Sequence, residues 1–263
     1  MKNSLLASLL LSVPCFAATI LDFSQVPLNS AVESFGAYAN PNGSYTNGLA
    51  NAASVGGVAV SISTTNPDGS YLGDQSYNLG VNGFWGAPQN YWAVDFDLLG
   101  GDAYSVTLGF SAPVSSVAAL FNYRIPTQEE IDLGIAYSSP QIEALDQFGA
   151  VLESLDIGAN APINTNGTLN NGAYRGFSLG SEIIYGLRFS NSGILLTDLY
   201  LFNASIALLV ADGSIPGKVD TVPDPGGGGG GGGGTPPNPT EVPEPSAALP
   251  LIIAVVVMSR LRK

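Results

Sequence analysis

Residues 91–110 read YWAVDFDLLGGDAYSVTLGF, and this stretch indicates the fold class. Apolar side chains alternate with other residues on each side of a glycine pair: Trp92, Val94, Phe96 and Leu98 before it, and Tyr104, Val106, Leu108 and Phe110 after it. A period of two places alternate side chains on opposite faces, so each segment predicts a strand with one buried face. Gly100-Gly101-Asp102 predicts a turn that would join the two strands in a hairpin.

Similar strand patterns recur along much of the chain. Short runs rich in Val, Ile, Tyr, Phe and Thr are separated by clusters of Gly, Asn, Pro and Ser, which is typical of antiparallel sheets. The predicted strands are 19–23, 58–63, 91–98, 104–110, 116–123, 141–146, 151–156, 174–179, 183–190 and 195–202. Asp146-Gln147-Phe148-Gly149 predicts a second hairpin turn. This pattern predicts an all-β fold, a two-sheet β-sandwich of jelly-roll type.

Other segments of the domain are not predicted as strands. Residues 127–133, TQEEIDL, predict one helical turn, because Thr127 suits an N-cap and acidic residues suit a first turn. Residues 34–51 and 159–172 are polar and rich in Gly and Asn, so we expect them to form long surface loops.

The charge balance limits the possible partners. Residues 18–220 contain 18 acidic and four basic side chains, a net charge of −14. Such a surface repels polyphosphate and argues against nucleic-acid binding, while it permits divalent cations and neutral sugars. The chain has no histidine, and its single cysteine, Cys15, lies in the first 17 residues. This composition excludes Ser-His-Asp and Cys-His nucleophiles and nearly all zinc, copper and haem sites.

The two ends of the chain carry targeting patterns. Lys2, the apolar run 5–13 and Cys15-Phe16-Ala17 predict a signal peptide over 1–17, an N-terminal signal helix, with Ala18 as the mature start. The β-sandwich domain is expected to span 18–219. Residues 220–241 contain nine consecutive glycines and several prolines, so they predict a disordered linker.

Residues 242–263 read VPEPSAALPLIIAVVVMSRLRK. Their apolar part, 247–258, predicts a short membrane helix, and at about 1.5 Å per residue it is too short for a hydrocarbon core of roughly 30 Å. The chain ends in a basic membrane tip formed by Arg260, Arg262 and Lys263. We expect this tip to lie among the lipid headgroups on the cytoplasmic side. The arrangement resembles the PEP-CTERM sorting signal of Gram-negative bacteria.

The resemblance implies a destination. It implies that an exosortase-like membrane protease recognises the sorting motif Pro243, Glu244 and Pro245, after a stage in which the tail holds the exported chain at the inner membrane. It also implies display on the cell surface or in the matrix, and a link to extracellular polysaccharide. Pro250 departs from the pattern because it interrupts the first turn of the apolar segment. Residues 91–203 are similar to β-sandwich ectodomains that often accompany PEP-CTERM tails, and no catalytic motif comes with that similarity.

The chain offers two candidate ligand sites. Asp95 and Asp97 would project from one face of a strand, and with Asp102 or Asp74 they could hold Ca²⁺, although a solvated strand face explains them as well. Aromatic residues cluster beside Gly and Asn: Tyr71, Tyr77, Phe84, Trp85, Tyr91 and Trp92. Trp85 is the least core-like of them and the possible sugar contact; the alternative is that it anchors a loop.

The leading interpretation is non-enzymatic. It is a structural or adhesive protein of the bacterial envelope, with no catalytic residues and no required cofactor. The alternative is a lectin-like carbohydrate-binding module, with Ca²⁺ as a conceivable aid. A glycoside hydrolase is the third hypothesis, since it needs two carboxylates across a cleft. The glutamates available for it are Glu129, Glu130, Glu143, Glu153 and Glu182.

Overall fold

Two large antiparallel sheets form the domain. The computed structural model describes residues 17–35, 44–46, 48–73, 76–86, 89–94, 104–135 and 137–218. These residues all belong to the first of two units of the chain, Met1–Thr221; the second unit, Val222–Lys263, lies outside the described residues. The predicted signal helix, linker, sorting motif and C-terminal membrane helix also lie outside them.

The described part of the chain contains sixteen strands, three short α-helices and one 3-10 helix, Phe23–Gln25. The strands are β1 (Ala18–Ile20), β2 (Ala31–Glu33), β3 (Ser44–Thr46), β4 (Gly48–Val55), β5 (Val58–Thr64), β6 (Ser70–Gly73), β7 (Tyr77–Asn78), β8 (Phe84–Trp85), β9 (Tyr91–Ala93), β10 (Ser105–Val114), β11 (Ser116–Asn122), β12 (Gln141–Leu145), β13 (Val151–Asp156), β14 (Ala173–Ser178), β15 (Ile184–Ser190) and β16 (Leu195–Phe202). The helices are α1 (Gln128–Asp132), α2 (Ile157–Asn160) and α3 (Ala204–Ala211).

The strand order shows how the chain moves between the sheets. The six-stranded sheet has the order β13-β12-β15-β10-β5-β4. The eight-stranded sheet has the order β1-β14-β11-β16-β9-β6-β3, with β2 also paired to β16. Strands β7 and β8 form a separate hairpin. Every strand pair is antiparallel, so the all-β prediction is confirmed.

One hydrophobic core joins the inner faces of the two sheets. Val106 and Leu108 of β10 and Phe189 of β15 enter it from the six-stranded sheet. Phe121 of β11 enters it from the other sheet, and its ring lies 6.1 Å from that of Phe189, edge to face. Burying a side chain of this size stabilises the fold by roughly 1.5–3 kcal/mol, so alternation at these positions holds the sandwich together.

Several predicted elements are confirmed. Strands β13 and β16 have the predicted bounds, and the turn 146–149 joins β12 to β13 as expected. The helical turn at 127–133 is α1, and Thr127 caps it, with its side chain accepting a hydrogen bond from the Glu130 N–H. The Glu130 carboxylate in turn accepts a hydrogen bond from the Thr127 N–H, which completes a capping box.

Three predictions are wrong. The expected hairpin of 91–98 with 104–110 does not form, because β9 and β10 belong to different sheets and their apolar faces meet the core from opposite sides. The first predicted strand ends at Ile20, since Asp22 caps the 3-10 helix that follows. The segment 34–51, expected to be a loop, contains β3 and the start of β4.

The last described residue, Lys218, is hydrogen-bonded to residues near the start of the domain. Its backbone N–H donates to the Ser30 carbonyl at 2.9 Å, and its carbonyl accepts from the Asn29 N–H at 2.6 Å. Its ammonium donates to the carbonyls of Phe23 at 2.7 Å and of Val26 at 2.5 Å.

In the part of the chain that the structure describes, no helix combines the length and the apolar character needed to cross a membrane.

Candidate functional site

A groove of about 370 Å³ lies against the outer face of the six-stranded sheet. Strands β5, β10 and β15 and the turn between β12 and β13 form it. Most of its lining residues are small or polar: Ala59, Ser61, Thr107, Gly109, Phe110, Ser111, Leu145, Asp146, Gln147, Gly149, Tyr185 and Gly186. The groove therefore offers mainly hydroxyl, amide and backbone groups to a ligand.

Two paired glycines form the floor of the groove. Gly109 of β10 is opposite Gly186 of β15 in the strand register. A Cβ atom on Gly109 would lie 2.7 Å from the Ser61 hydroxyl oxygen, and one on Gly186 would lie 2.9 Å from the Leu108 carbonyl oxygen. Larger residues would therefore clash with the sheet, and the depression depends on glycine at both positions.

An exposed aromatic ring stands at the tip of the hairpin that borders the groove. Phe148 lies in the β12–β13 turn, between the lining residues Gln147 and Gly149, and 83% of its surface is exposed. Asp146 fixes this turn, because its side chain accepts hydrogen bonds from the backbone N–H groups of Phe148 and Ala150, both at 2.8 Å. Phe148 is thus a displayed apolar side chain on an ordered turn.

Three polar side chains of the groove remain available to a ligand. Thr107, Gln147 and Tyr185 have no side-chain hydrogen bond to any described residue. The hydroxyls of Ser61 and Ser111 are already used: Ser61 donates to the Gly109 carbonyl, and Ser111 accepts from the Ala59 N–H. Sugars present both apolar ring faces and hydroxyls, and this combination of groups can bind them.

The interpretation of Trp85 as an exposed sugar contact is wrong. Trp85 lies in β8, and its side chain is fully buried in a small second core with Leu79 and Tyr91. The alternative, that Trp85 anchors a loop, fits better: the ring anchors the β7–β8 hairpin on the outer face of the eight-stranded sheet. Of its neighbours in sequence, Trp92 enters the main core and Phe84 is 44% exposed.

The acidic candidates are not gathered into one site. Asp74, Asp95, Asp97 and Asp102, the predicted calcium ligands, lie outside the described residues. Within the described ranges, no group of three or more carboxylates is close enough to hold a metal ion. The glutamates considered for hydrolysis have separate surroundings: Glu130 contacts Arg124, Glu143 contacts Arg188, Glu182 accepts from the Ala204 N–H, and Glu129 and Glu153 are exposed.

Glu130 and Arg124 form a buried ion pair next to helix α1. Both are almost fully buried, at 7% and 5% exposure, and the carboxylate accepts from the Arg124 guanidinium. Burial alone would raise the pKa of Glu130, but hydrogen bonds from Thr127 and Arg124 outweigh it and lower that pKa. Arg124 also donates to the Tyr137 hydroxyl at 3.0 Å and to the Asn78 carbonyl at 2.8 Å. The pair joins α1 to strand β7 and is structural.

Sequence reasoning missed Phe148. The sequence does predict the turn that contains this residue. A large apolar residue at a turn position is the signal that could have identified it, because a turn on the surface does not place its side chains in the core. The groove itself had no such signal, because its residues come from strands that are distant in sequence.

Compared with known proteins, the chain matches no family model, no curated protein and no solved structure.

Proposed function

We propose that this chain is an exported bacterial β-sandwich protein with a structural or adhesive role at the cell surface or in the extracellular matrix. The support for export and sorting comes from the sequence: the signal-like residues 1–17, the glycine-rich segment 220–241, and the tail 242–263 with its basic tip. An exosortase-like protease would act at Pro243, Glu244 and Pro245, and the inner membrane would hold the chain until then.

The finer fold type in this proposal is a jelly roll. The strand orders support it: β9-β16-β11-β14 run side by side in one sheet, and β10-β15-β12-β13 in the other. A jelly roll has eight strands in two sheets, connected as two Greek keys, and β9 to β16 cross between the sheets at every step except the β12–β13 hairpin. Strands β1 and β3 to β6 would then extend the edges of the sheets, and β2 would pair with the far end of β16.

The adhesive role would reside in the groove. The single observation that carries it is Phe148, which is 83% exposed beside a hydroxyl-lined depression. An aromatic ring displayed beside hydroxyl and amide groups can stack on the apolar face of a sugar ring while those groups bind the sugar hydroxyls. The ligand class that fits best is therefore a neutral polysaccharide, and the protein would act as a lectin-like module within an adhesive role.

Titration calorimetry on residues 18–219 would test the groove with neutral oligosaccharides of glucose and galactose. We expect Phe148→Ala to lower the affinity about tenfold, which corresponds to about 1.4 kcal/mol of stacking and apolar contact. Leu208→Ala is the matched control, since Leu208 is 72% exposed on α3, away from the lining residues. Equal losses in the two variants, or no binding of any neutral sugar by the wild type, would reject the groove as the adhesive site.

Cell fractionation in a host with an exosortase would test the sorting half. The full chain with an epitope between residues 219 and 220 is expected to reach the surface and to lose its tail. Replacing Pro243, Glu244 and Pro245 with alanine should leave an unprocessed chain at the inner membrane. Full-length protein that stays in the cytosol would contradict the proposal.

A further inference from the structure

Asp198 interrupts β16 on the outer face of the eight-stranded sheet. Asp198 and Leu199 together stand opposite the single residue Ala119 of β11, which is a β-bulge. At the same point the other partner of β16 changes from β9, which pairs with Leu195 and Leu196, to β2. Asp198 has φ +45°, a left-handed conformation that bulges normally assign to glycine. The sequence places a carboxylate where the backbone favours a residue with no side chain.

Two tyrosines, Tyr174 and Tyr200, lie close enough to this carboxylate to feel its charge. Tyr174 of β14 is opposite Leu120 of β11 and Tyr200 of β16 is opposite Ala118, and the two ring centres lie 5.9 Å apart. Phe23 of the 3-10 helix covers them at 4.8 Å from Tyr174 and 5.6 Å from Tyr200. We call Phe23, Tyr174, Asp198 and Tyr200 the aromatic–acid patch. Phe23 is 38% exposed, and the other three are partly buried, so a ligand can reach the patch.

Nothing in the described part of the chain compensates the charge of Asp198. Its side chain has no hydrogen bond or ion pair with any described residue. Burial raises the pKa of Asp198, and the carboxylate in turn adds to the effect of burial in raising the pKa of Tyr200. The site is therefore one in which a carboxylate is costly to ionise without a partner.

The four cations of residues 18–220 all bind groups other than the Asp198 carboxylate. Arg124 binds Glu130, and Arg188 binds Glu143. Arg175 donates to the backbone carbonyls of Ala161 and Leu21. Lys218 donates to carbonyls near Phe23. A cation that neutralises Asp198 would thus have to come from outside these residues.

The patch already accommodates one ammonium group. The Lys218 ammonium lies 4.7 Å from the centre of the Phe23 ring, within the range of a cation–π contact. Tyrosine rings attract cations in the same way, and the nearby Asp198 carboxylate adds a full opposite charge. The net charge of −14 over residues 18–220 would also concentrate positively charged ligands near the domain.

We propose that the aromatic–acid patch is a second binding site, which takes a primary ammonium group. The carrier is an amino sugar of a partly deacetylated polysaccharide, because the exposed ring of Phe23 can contact a sugar face while Asp198 binds the amine. In naming a sugar as the carrier, this inference rests on the adhesive function proposed above. The ammonium site itself does not depend on the groove.

Titration calorimetry with a glucosamine hexamer, an N-acetylglucosamine hexamer and the alkyl diamine cadaverine would test the site. We expect the glucosamine hexamer to bind best, and Asp198→Asn to weaken that binding at least about tenfold, the effect of losing a hydrogen-bonded charge. Asp68→Asn is the matched control because it removes an equal charge from an exposed turn, and its affinity should stay within about twofold of wild type. Melting curves would verify that each variant is folded.

The other outcomes separate this inference from the groove proposal. Equal binding of the acetylated hexamer, unchanged affinity in Asp198→Asn, or no amine binding at all would overturn the ammonium site. Affinity for cadaverine equal to that for the glucosamine hexamer would overturn the sugar as carrier. Loss of glucosamine binding in Phe148→Ala but not in Asp198→Asn would assign the ligand to the groove and overturn the patch.

Discussion

Two carboxylates with restricted access to solvent, Glu130 and Asp198, differ in what surrounds them. Glu130 accepts hydrogen bonds from Arg124 and from the backbone and hydroxyl of Thr127, and the balance lowers its pKa. Asp198 has no hydrogen-bonding or ionic partner among the described residues, and burial raises its pKa. A buried charge with hydrogen-bonding and ionic partners is tolerated by the fold, whereas a buried charge without them destabilises it. Glu130 stabilises the fold, which explains its presence. Asp198 does not, so its presence points to another role.

The largest expected effect is the loss of the paired charge. Glu130→Gln keeps the size of the side chain but leaves the buried Arg124 guanidinium uncompensated, so we expect the free energy of unfolding to fall by about 3–5 kcal/mol. Urea denaturation would measure it. Glu143→Gln is the matched control, since its partner Arg188 is 32% exposed, and it should cost less than about 1 kcal/mol. Similar losses in both variants would show that burial does not distinguish the two pairs.

Replacing the unpaired charge should act in the opposite direction. Asp198→Gly removes both the left-handed strain at φ +45° and the desolvated carboxylate, so we expect a gain of about 1 kcal/mol in the free energy of unfolding. Asp198→Asn removes only the charge and should give a smaller gain. Thermal melting at constant pH would rank the three proteins, and a destabilised glycine variant would mean that Asp198 has a structural partner.

The pH dependence should separate the two carboxylates by sign. The pKa of Glu130 is lowered in the folded state, so its contribution is complete above the unfolded value of about 4.3 and is lost as the pH falls below it. The pKa of Asp198 is raised in the folded state. Ionised Asp198 therefore destabilises the fold, and this destabilisation grows as the pH rises above the unfolded value of about 3.9. Tyr174 and Tyr200, which face Asp198, have raised pKa values and stay neutral here.

Denaturation of wild type, Glu130→Gln and Asp198→Asn between pH 3 and 7 would measure these trends. The cost of Glu130→Gln should grow with pH from about 3 to 5, and the gain from Asp198→Asn should grow as the pH rises above about 4. Parallel curves for all three proteins would refute the contrast.

The smallest expected effect is the coupling between the two positions. Glu130 and Asp198 share no partner, so the changes in free energy of Glu130→Gln and Asp198→Asn should add to within about 0.5 kcal/mol in the double variant. A double-mutant cycle would measure this, and a larger coupling would show that the two charges belong to one network.

The alternation of residues was enough to predict the class of the fold but not the pairing of its strands. In β10, Val106, Leu108 and Phe110 are buried as their spacing indicates. A period of two shows which side chains face a core, but it does not show which sheet carries them, and the expected hairpin of β9 with β10 failed for that reason.

The candidate sites were less accessible from sequence. Phe84-Trp85 is too short to show a period, so the burial of Trp85 under a two-strand hairpin had no signal. In LLTDLYLF, residues 195–202, Asp198 reads as one more polar residue of a strand. Its bulge arises from a change of strand partner, and that depends on contacts between distant segments.

The attachment of Lys218 has a mechanical consequence. Any tension applied through the chain beyond residue 218 would meet the two backbone hydrogen bonds to Asn29 and Ser30 and the ammonium bonds to Phe23 and Val26. The load would pass to the opposite terminus of the folded domain before it reached the strands of the sandwich. The folded domain would thus resist being pulled open from its carboxyl-terminal end.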